Sequence, residues 1–200
     1  MDNTNLLMIF VKNPEKGKVK TRLAARVGDD KAFRIYLKLL KHTLKIAQQA
    51  KAEKQVWYSS FIDSDDKLEE RGFAKKLQSG QHLGERMEGA FQKAFESGHK
   101  NVVIIGSDCP DITAEVIEEA FNRLDQDSTD VVIGPSEDGG YYLLGINSFY
   151  PGLFRGIEWS TGQVLPSTLD KIKKLELRKH MLKELNDIDT LQDLEKSNFL

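Results

Sequence analysis

Apolar and polar positions along the chain follow two alternating rhythms. Residues 6–11 and 101–105 are short continuous apolar runs rich in branched side chains, bounded by charged or turn-forming residues. Such runs predict strands buried on both faces of a parallel sheet. Further strands are expected at 55–61, 130–134, 141–146 and around 177–182. Between them runs a helical rhythm. In 29–50, Phe33, Tyr36, Leu37, Leu40, Leu44 and Ala47 recur at steps of three and four with Lys and Gln between them, a core-facing stripe. Helices are also expected at 82–97, at 113–124 with Val116, Ile117, Ala120 and Leu124 inward, and at 163–175 with Pro166 in its first turns. Residues 63–71 form a polar connector or short helix, and 12–23 a loop. Thr190 and Asp193 have the spacing of a capping box opening a last short helix. Strand and helix in alternation predict a three-layer α/β/α Rossmann-like domain with a mostly parallel mixed sheet, spanning residues 1–200 without linker or repeat.

Composition narrows the function. A net charge of −2 over 200 residues argues against a general nucleic-acid binder, whose surface would be strongly basic. One cysteine, Cys109, excludes an intrachain disulfide and a cysteine-rich zinc site. The apolar run 6–11 is too short for a secretory signal or a membrane span, so a cytoplasmic protein is expected.

Against this near-neutral background, basic residues concentrate in the loop after the first strand, with Lys12, Lys16, Lys18, Lys20 and Arg22 around Pro14 and Gly17. Clustered cations leaving a strand suit a diphosphate; otherwise they are a solvated loop. Neither a P-loop nor a dinucleotide glycine fingerprint is present. Acids gather at later strand ends. Asp108 follows the run 101–105, where ligands of open α/β sheets bind, and is a metal or phosphate-side ligand unless it caps the next helix, a task for which Asp111 and Thr113 are also available. Asp187 and Asp189 alternate about Ile188 on an extended segment, point the same way and can complete a divalent-cation site. Glu137 and Asp138 precede Gly139-Gly140, which forms either a turn or a close approach to a sugar or phosphate. Arg86, near the start of its helix, faces a ligand in this scheme, and Trp159 either stacks on a sugar or packs.

The segments FVKNPEKGKVKTRL, LGERM, IGSDCPDIT, GPSEDGGYYLLG, WST and DIDTLQDL, in that order, resemble a bacterial family of small GT-A-type glycosyltransferase-like proteins. The fold implied is that of the nucleotide-diphospho-sugar transferases. More distantly, the chain is similar to guanylyltransferases of molybdenum-cofactor and 2-phospholactate metabolism. KGKVKTRL stands where sugar-nucleotide pyrophosphorylases have a glycine-rich loop, and Leu191 where the family often has proline. The resemblance implies a metal-binding acid at Asp108, phosphate contacts from Lys12, Lys20 and Arg22, and a sugar near Asp138, Gly139 and Gly140. It implies a glycosyltransferase using Mg²⁺ or Mn²⁺, a nucleotide-diphosphate sugar and a small acceptor, with Asp138 as a base. The alternatives are a nucleotidylyltransferase using a nucleoside triphosphate and a small phosphorylated acceptor, or a non-catalytic nucleotide- or sugar-binding domain.

Overall fold

A computed structural model describes residues 4–197 and 199. The strands are β1 (Asn5–Val11), β2 (Glu53–Tyr58), β3 (Ala74–Leu77), β4 (Asn101–Ile105), β5 (Val131–Pro135), β6 (Tyr141–Ile146) and β7 (Lys179–Met181). The helices are α1 (Thr21–Val27), α2 (Asp29–Ala47), α3 (Leu83–Glu96), α4 (Ala114–Leu124), α5 (Val164–Lys174) and α6 (Leu191–Lys196). All seven strands form one sheet in the order β3-β2-β1-β4-β6-β5-β7, parallel except for β6, which runs antiparallel to both neighbours.

The unbroken apolar runs are explained by helices on both faces. In β1, Leu7 and Ile9 pack with Leu44 of α2 and Ile117 and Phe121 of α4, whereas Leu6 and Met8 face Met87 and Phe91 of α3 and Ile172 of α5. The period-two alternation of side chains therefore feeds two cores from one strand. A third cluster joins Leu23 of α1, Ile35 and Leu39 of α2, Leu194 of α6 and the isolated Ile188.

Three features depart from the expected elements. The second half of the basic loop is helical from Thr21, after Lys20 adopts a left-handed conformation at φ 50° and ψ 42°. Residues 74–77 add a parallel edge strand whose side chains are mostly exposed, so no apolar pattern marks it. Beyond β7 the chain stays extended beside β5, with the Leu185 N–H donating to the Pro135 carbonyl at 3.1 Å. That extension brings residues 187–189 to the carboxyl edge of the sheet.

Candidate functional site

The neighbours of β1 determine where a ligand fits. From β1 the chain turns through α1 and α2 to β2 on one side, while β4 flanks β1 on the other, so a crevice opens at their carboxyl ends. It holds a cleft of about 620 Å³. Lys12 enters from the end of β1, Lys20 and Arg22 from the start of α1, Asp108 from beyond β4, Asp138 from beyond β5, and Asp187 and Asp189 from the extension after β7.

At its centre lies a three-membered ion cluster. The Lys20 ammonium stands 2.7 Å from Asp108 Oδ1 and 2.9 Å from Asp189 Oδ1, and its side chain is 3% exposed. Burial alone would lower the Lys20 pKa, but the two carboxylates outweigh it and hold the ammonium above its ordinary range. Asp189 is shifted the other way: burial opposes its ionisation, yet Lys20 keeps its carboxyl below the usual range. Asp187 differs. Burial, and then the neighbouring Asp108 carboxylate, push it up to about 7. Asp108 does not cap the following helix, because the Thr113 hydroxyl accepts the Val116 N–H and opens α4. Its backbone carbonyl accepts the Ile188 N–H at 3.0 Å, which pins the C-terminal segment beside it.

The basic loop is held from below. Asn13 is buried; its Oδ1 accepts the Ser60 N–H at 2.9 Å and its Nδ2 donates to the Phe61 carbonyl at 2.8 Å. The Tyr36 hydroxyl donates to the Lys12 carbonyl. Tyr36 thus belongs to the core stripe and to the cleft together, being 2% exposed and lining the cavity. Burial, then the Asp108 charge, raises its pKa and keeps the phenol protonated. Lys12 and Arg22 are exposed and make no ion pair among the described residues.

On the opposite wall, the Asp138 carboxylate accepts the Gly140 N–H at 2.9 Å and closes a turn at the rim. Gly139, at φ +84°, serves the fold: a Cβ there would lie 2.3 Å from the Gly162 carbonyl oxygen. Its own carbonyl accepts the Leu165 N–H at 2.8 Å, fastening the start of α5 to this turn. Trp159 packs on Gly84 of α3, where a Cβ would fall 2.1 Å from the indole Nε1, and it also lines the cleft. Arg86 stands apart. Its Nε donates to the Gly80 carbonyl at 3.0 Å, bracing the loop before α3, and it does not line the cavity. Tyr36, Thr21, Tyr141 and Thr161 line the cleft without having been singled out from the sequence. Thr21 lies inside the basic segment, and Tyr141 and Thr161 lie inside the segments GPSEDGGYYLLG and WST, whereas Tyr36 read only as part of the core stripe.

No group of three or more His, Cys, Asp or Glu side chains among the described residues is arranged to hold a metal ion. The charge balance nevertheless suits one. Four carboxylates and three cations line the cleft, one carboxylate more than the cations present. Mg²⁺ typically takes only one or two carboxylates, with phosphate and water completing its shell. Asp108 and Asp189, whose Oδ1 atoms flank the same ammonium, are two carboxylates brought close together here.

A bacterial family profile, described as an uncharacterized protein conserved in bacteria (DUF2064), matches residues 42–161. The chain belongs to the DUF2064 family. This DUF2064 protein is 38% identical to a protein from Desulfovibrio desulfuricans G20 provisionally named a nucleotide-diphospho-sugar transferase. That match covers 96% of this chain and 85% of the other, with a TM-score of 0.88. A cytidylyltransferase from Leptospira borgpetersenii shares the fold at 16% identity and a TM-score of 0.59, covering 96% of this chain and 84% of its own. Glucosyl-3-phosphoglycerate synthase from Mycobacterium tuberculosis, solved with Mn²⁺, UDP and glucosyl-3-phosphoglycerate, shares it at 12% and 0.52, covering 93% and 71%. No curated protein sequence matches the chain significantly. The fold is thus that of the nucleotide-diphospho-sugar transferases, and no helix among the described residues is long and apolar enough to cross a membrane.

Proposed function

We propose that the cleft is the active site of a divalent-cation-dependent glycosyltransferase, moving a sugar from a nucleotide-diphosphate sugar to a small acceptor. One observation carries this reading: a buried ammonium shared by Asp108 and Asp189 lies at the topological switch point, with the unpaired cations Lys12 and Arg22 beside it. A departing nucleoside diphosphate gains negative charge, and pre-positioned cations stabilise that change without reorganising. Lys12 and Arg22 bind the phosphates, Arg22 bidentately. Asp108, with Asp187 or Asp189, holds Mg²⁺ or Mn²⁺, which when bound supplies Lewis-acid stabilisation of the leaving diphosphate. Asp138, exposed at the rim and oriented by the Gly140 N–H, accepts the proton of the acceptor hydroxyl. Trp159 flanks the sugar.

The same cations favour a second reading, nucleotidyl transfer from a nucleoside triphosphate to a small phosphorylated acceptor, because they would stabilise departing pyrophosphate equally well. Incubation with a panel of nucleotide sugars and nucleoside triphosphates, with and without Mn²⁺, separates the two. Metal-dependent release of nucleoside diphosphate is expected; pyrophosphate release would establish the second reading. Saturable binding without turnover would make the domain a non-catalytic receptor.

A further inference from the structure

Lys20 has an unusual position for a phosphate-binding lysine. Its ammonium does not point at open solvent but lies buried between two carboxylates from distant parts of the chain. Asp108 comes from beyond β4 and Asp189 from beyond β7, and both line the same cleft. Oxygen atoms from two carboxylates around one small, compact cation are also what a hard divalent ion requires. A metal drawing on either carboxylate must therefore compete with Lys20.

We infer that Lys20 acts as a built-in surrogate cation, occupying the divalent-ion position in the free protein and leaving it only when diphosphate oxygens offer its ammonium an equivalent place. This inference rests on the proposed metal-dependent reaction and adds to it an order of events. Phosphate must draw Lys20 away from Asp108 and Asp189 before the metal can use them, so metal and nucleotide enter together.

The backbone suits such an exchange. Lys20 is left-handed at φ 50° and sits immediately before α1, between the turn at 16–18 and a helix anchored by buried Leu23. A long side chain on a fixed Cα can move its head group over several ångströms by rotamer change alone. The receiving cations are already nearby, since Lys12 and Arg22 line the same wall and hold no carboxylate of their own. The alternative role, a static ion cluster that only joins the C-terminal segment to α1, predicts no competition with metal.

The test is a titration of Mn²⁺ alone, followed by the electron paramagnetic resonance signal of the free ion, into wild-type protein and Lys20→Met. Lys20→Gly is the companion variant, because glycine adopts the left-handed backbone without strain and keeps the fold accessible if methionine does not. The expected result is weak Mn²⁺ binding by free wild-type protein and at least tenfold tighter binding by the Lys20 variants. Adding Asp108→Asn to Lys20→Gly should abolish the gain. Inorganic pyrophosphate, monitored by calorimetry, should raise Mn²⁺ affinity in wild type far more than in Lys20→Gly. If Mn²⁺ affinity is unchanged in the variants while wild type still binds Mn²⁺ with pyrophosphate, the surrogate role is overturned and the metal-dependent reaction stands. If no variant binds Mn²⁺ with or without pyrophosphate, both fall together.

Discussion

Replacing Gly139 and its neighbour Gly140 by alanine, one at a time, should give opposite outcomes, and the contrast tests how the rim of the cleft is built. Gly139 has φ +84°, and a Cβ there would lie 2.3, 2.8 and 2.9 Å from the O, C and Cα of Gly162, all backbone atoms that no rotamer can move. The left-handed backbone alone costs a side-chain-bearing residue about 1–2 kcal/mol. Forcing two main-chain segments apart adds a term of the size of core overpacking, about 1–3 kcal/mol. A total near 3 kcal/mol would lower the melting temperature of a chain of this length by roughly 6–12 °C. At Gly140 the nearest atom is Asp138 Oδ1 at 3.1 Å, the end of a side chain that can rotate aside. Gly140→Ala should therefore melt within about 2 °C of wild type, yet displace the carboxylate and lower turnover. Calorimetric melting beside sugar-donor turnover separates the two. Wild-type stability in Gly139→Ala would refute the close approach of the two loops. A large stability loss in Gly140→Ala would refute the assignment of its neighbour Asp138 to the rim chemistry.

Asp108→Asn keeps the side chain's shape, and Thr113 caps α4, so folding should survive while Mn²⁺ enhancement of nucleoside diphosphate binding falls more than tenfold; equal enhancement in a calorimetric titration would remove Asp108 from the site. Asn13→Ala strips the buried clamp on the basic loop, with expected destabilisation of about 1–3 kcal/mol in urea titration and faster amide exchange at residues 12–18; unchanged exchange would mean the loop is held elsewhere. The third concerns acid stability. Asp130, buried at the edge of β5, accepts Arg178 backbone N–H and Nε at 2.8 Å and Nη2 at 2.6 Å, and this pairing lowers its pKa below the ordinary 3.8. The native state then releases its proton more readily than the unfolded chain, so the contribution is complete above 3.8 and lost as pH falls through the lower folded value. Urea midpoints of wild type and Asp130→Asn should differ at neutral pH and converge in acid; a constant gap would assign the effect to packing.

What the sequence made legible depended on burial. The runs forming β1 and β4 are buried on both sides, so their hydrophobicity alone placed them, and the Thr190–Asp193 capping box was readable because both partners are local. The edge strand Ala74–Leu77 was not, since a strand with exposed side chains and one neighbour leaves no apolar signature. Helix α1 was obscured similarly: Leu23 is its only buried residue, so it has no stripe, and its lysine- and arginine-rich approach reads as loop. In the site, acids at strand ends were visible from position. The roles of Tyr36 and Arg86 were not, because a helical stripe does not show which hydroxyl reaches a loop carbonyl, nor does a helix start show where a guanidinium turns.

The alternation Asp187-Ile188-Asp189 shows how the fold keeps mutually repelling groups in place. Ile188 is 1% exposed and packs with Leu23, Ile35, Leu39 and Leu194, so the segment is anchored by an apolar side chain pointing away from the cleft. The same cluster contains Leu23, three residues beyond Lys20, and so one patch of core positions both ends of the Lys20–Asp189 pair although 169 residues separate them. Burial is the main cause of the raised Asp187 pKa and the neighbouring Asp108 carboxylate the next, so the segment is held by contacts other than those among its acids. Burial of a full isoleucine side chain is worth about 1.5–3 kcal/mol, and the Ile188 N–H bond to the Asp108 carbonyl adds to it. The apolar anchor and this hydrogen bond thus keep Asp187 and Asp189 at the cleft wall without depending on contacts among the acids themselves.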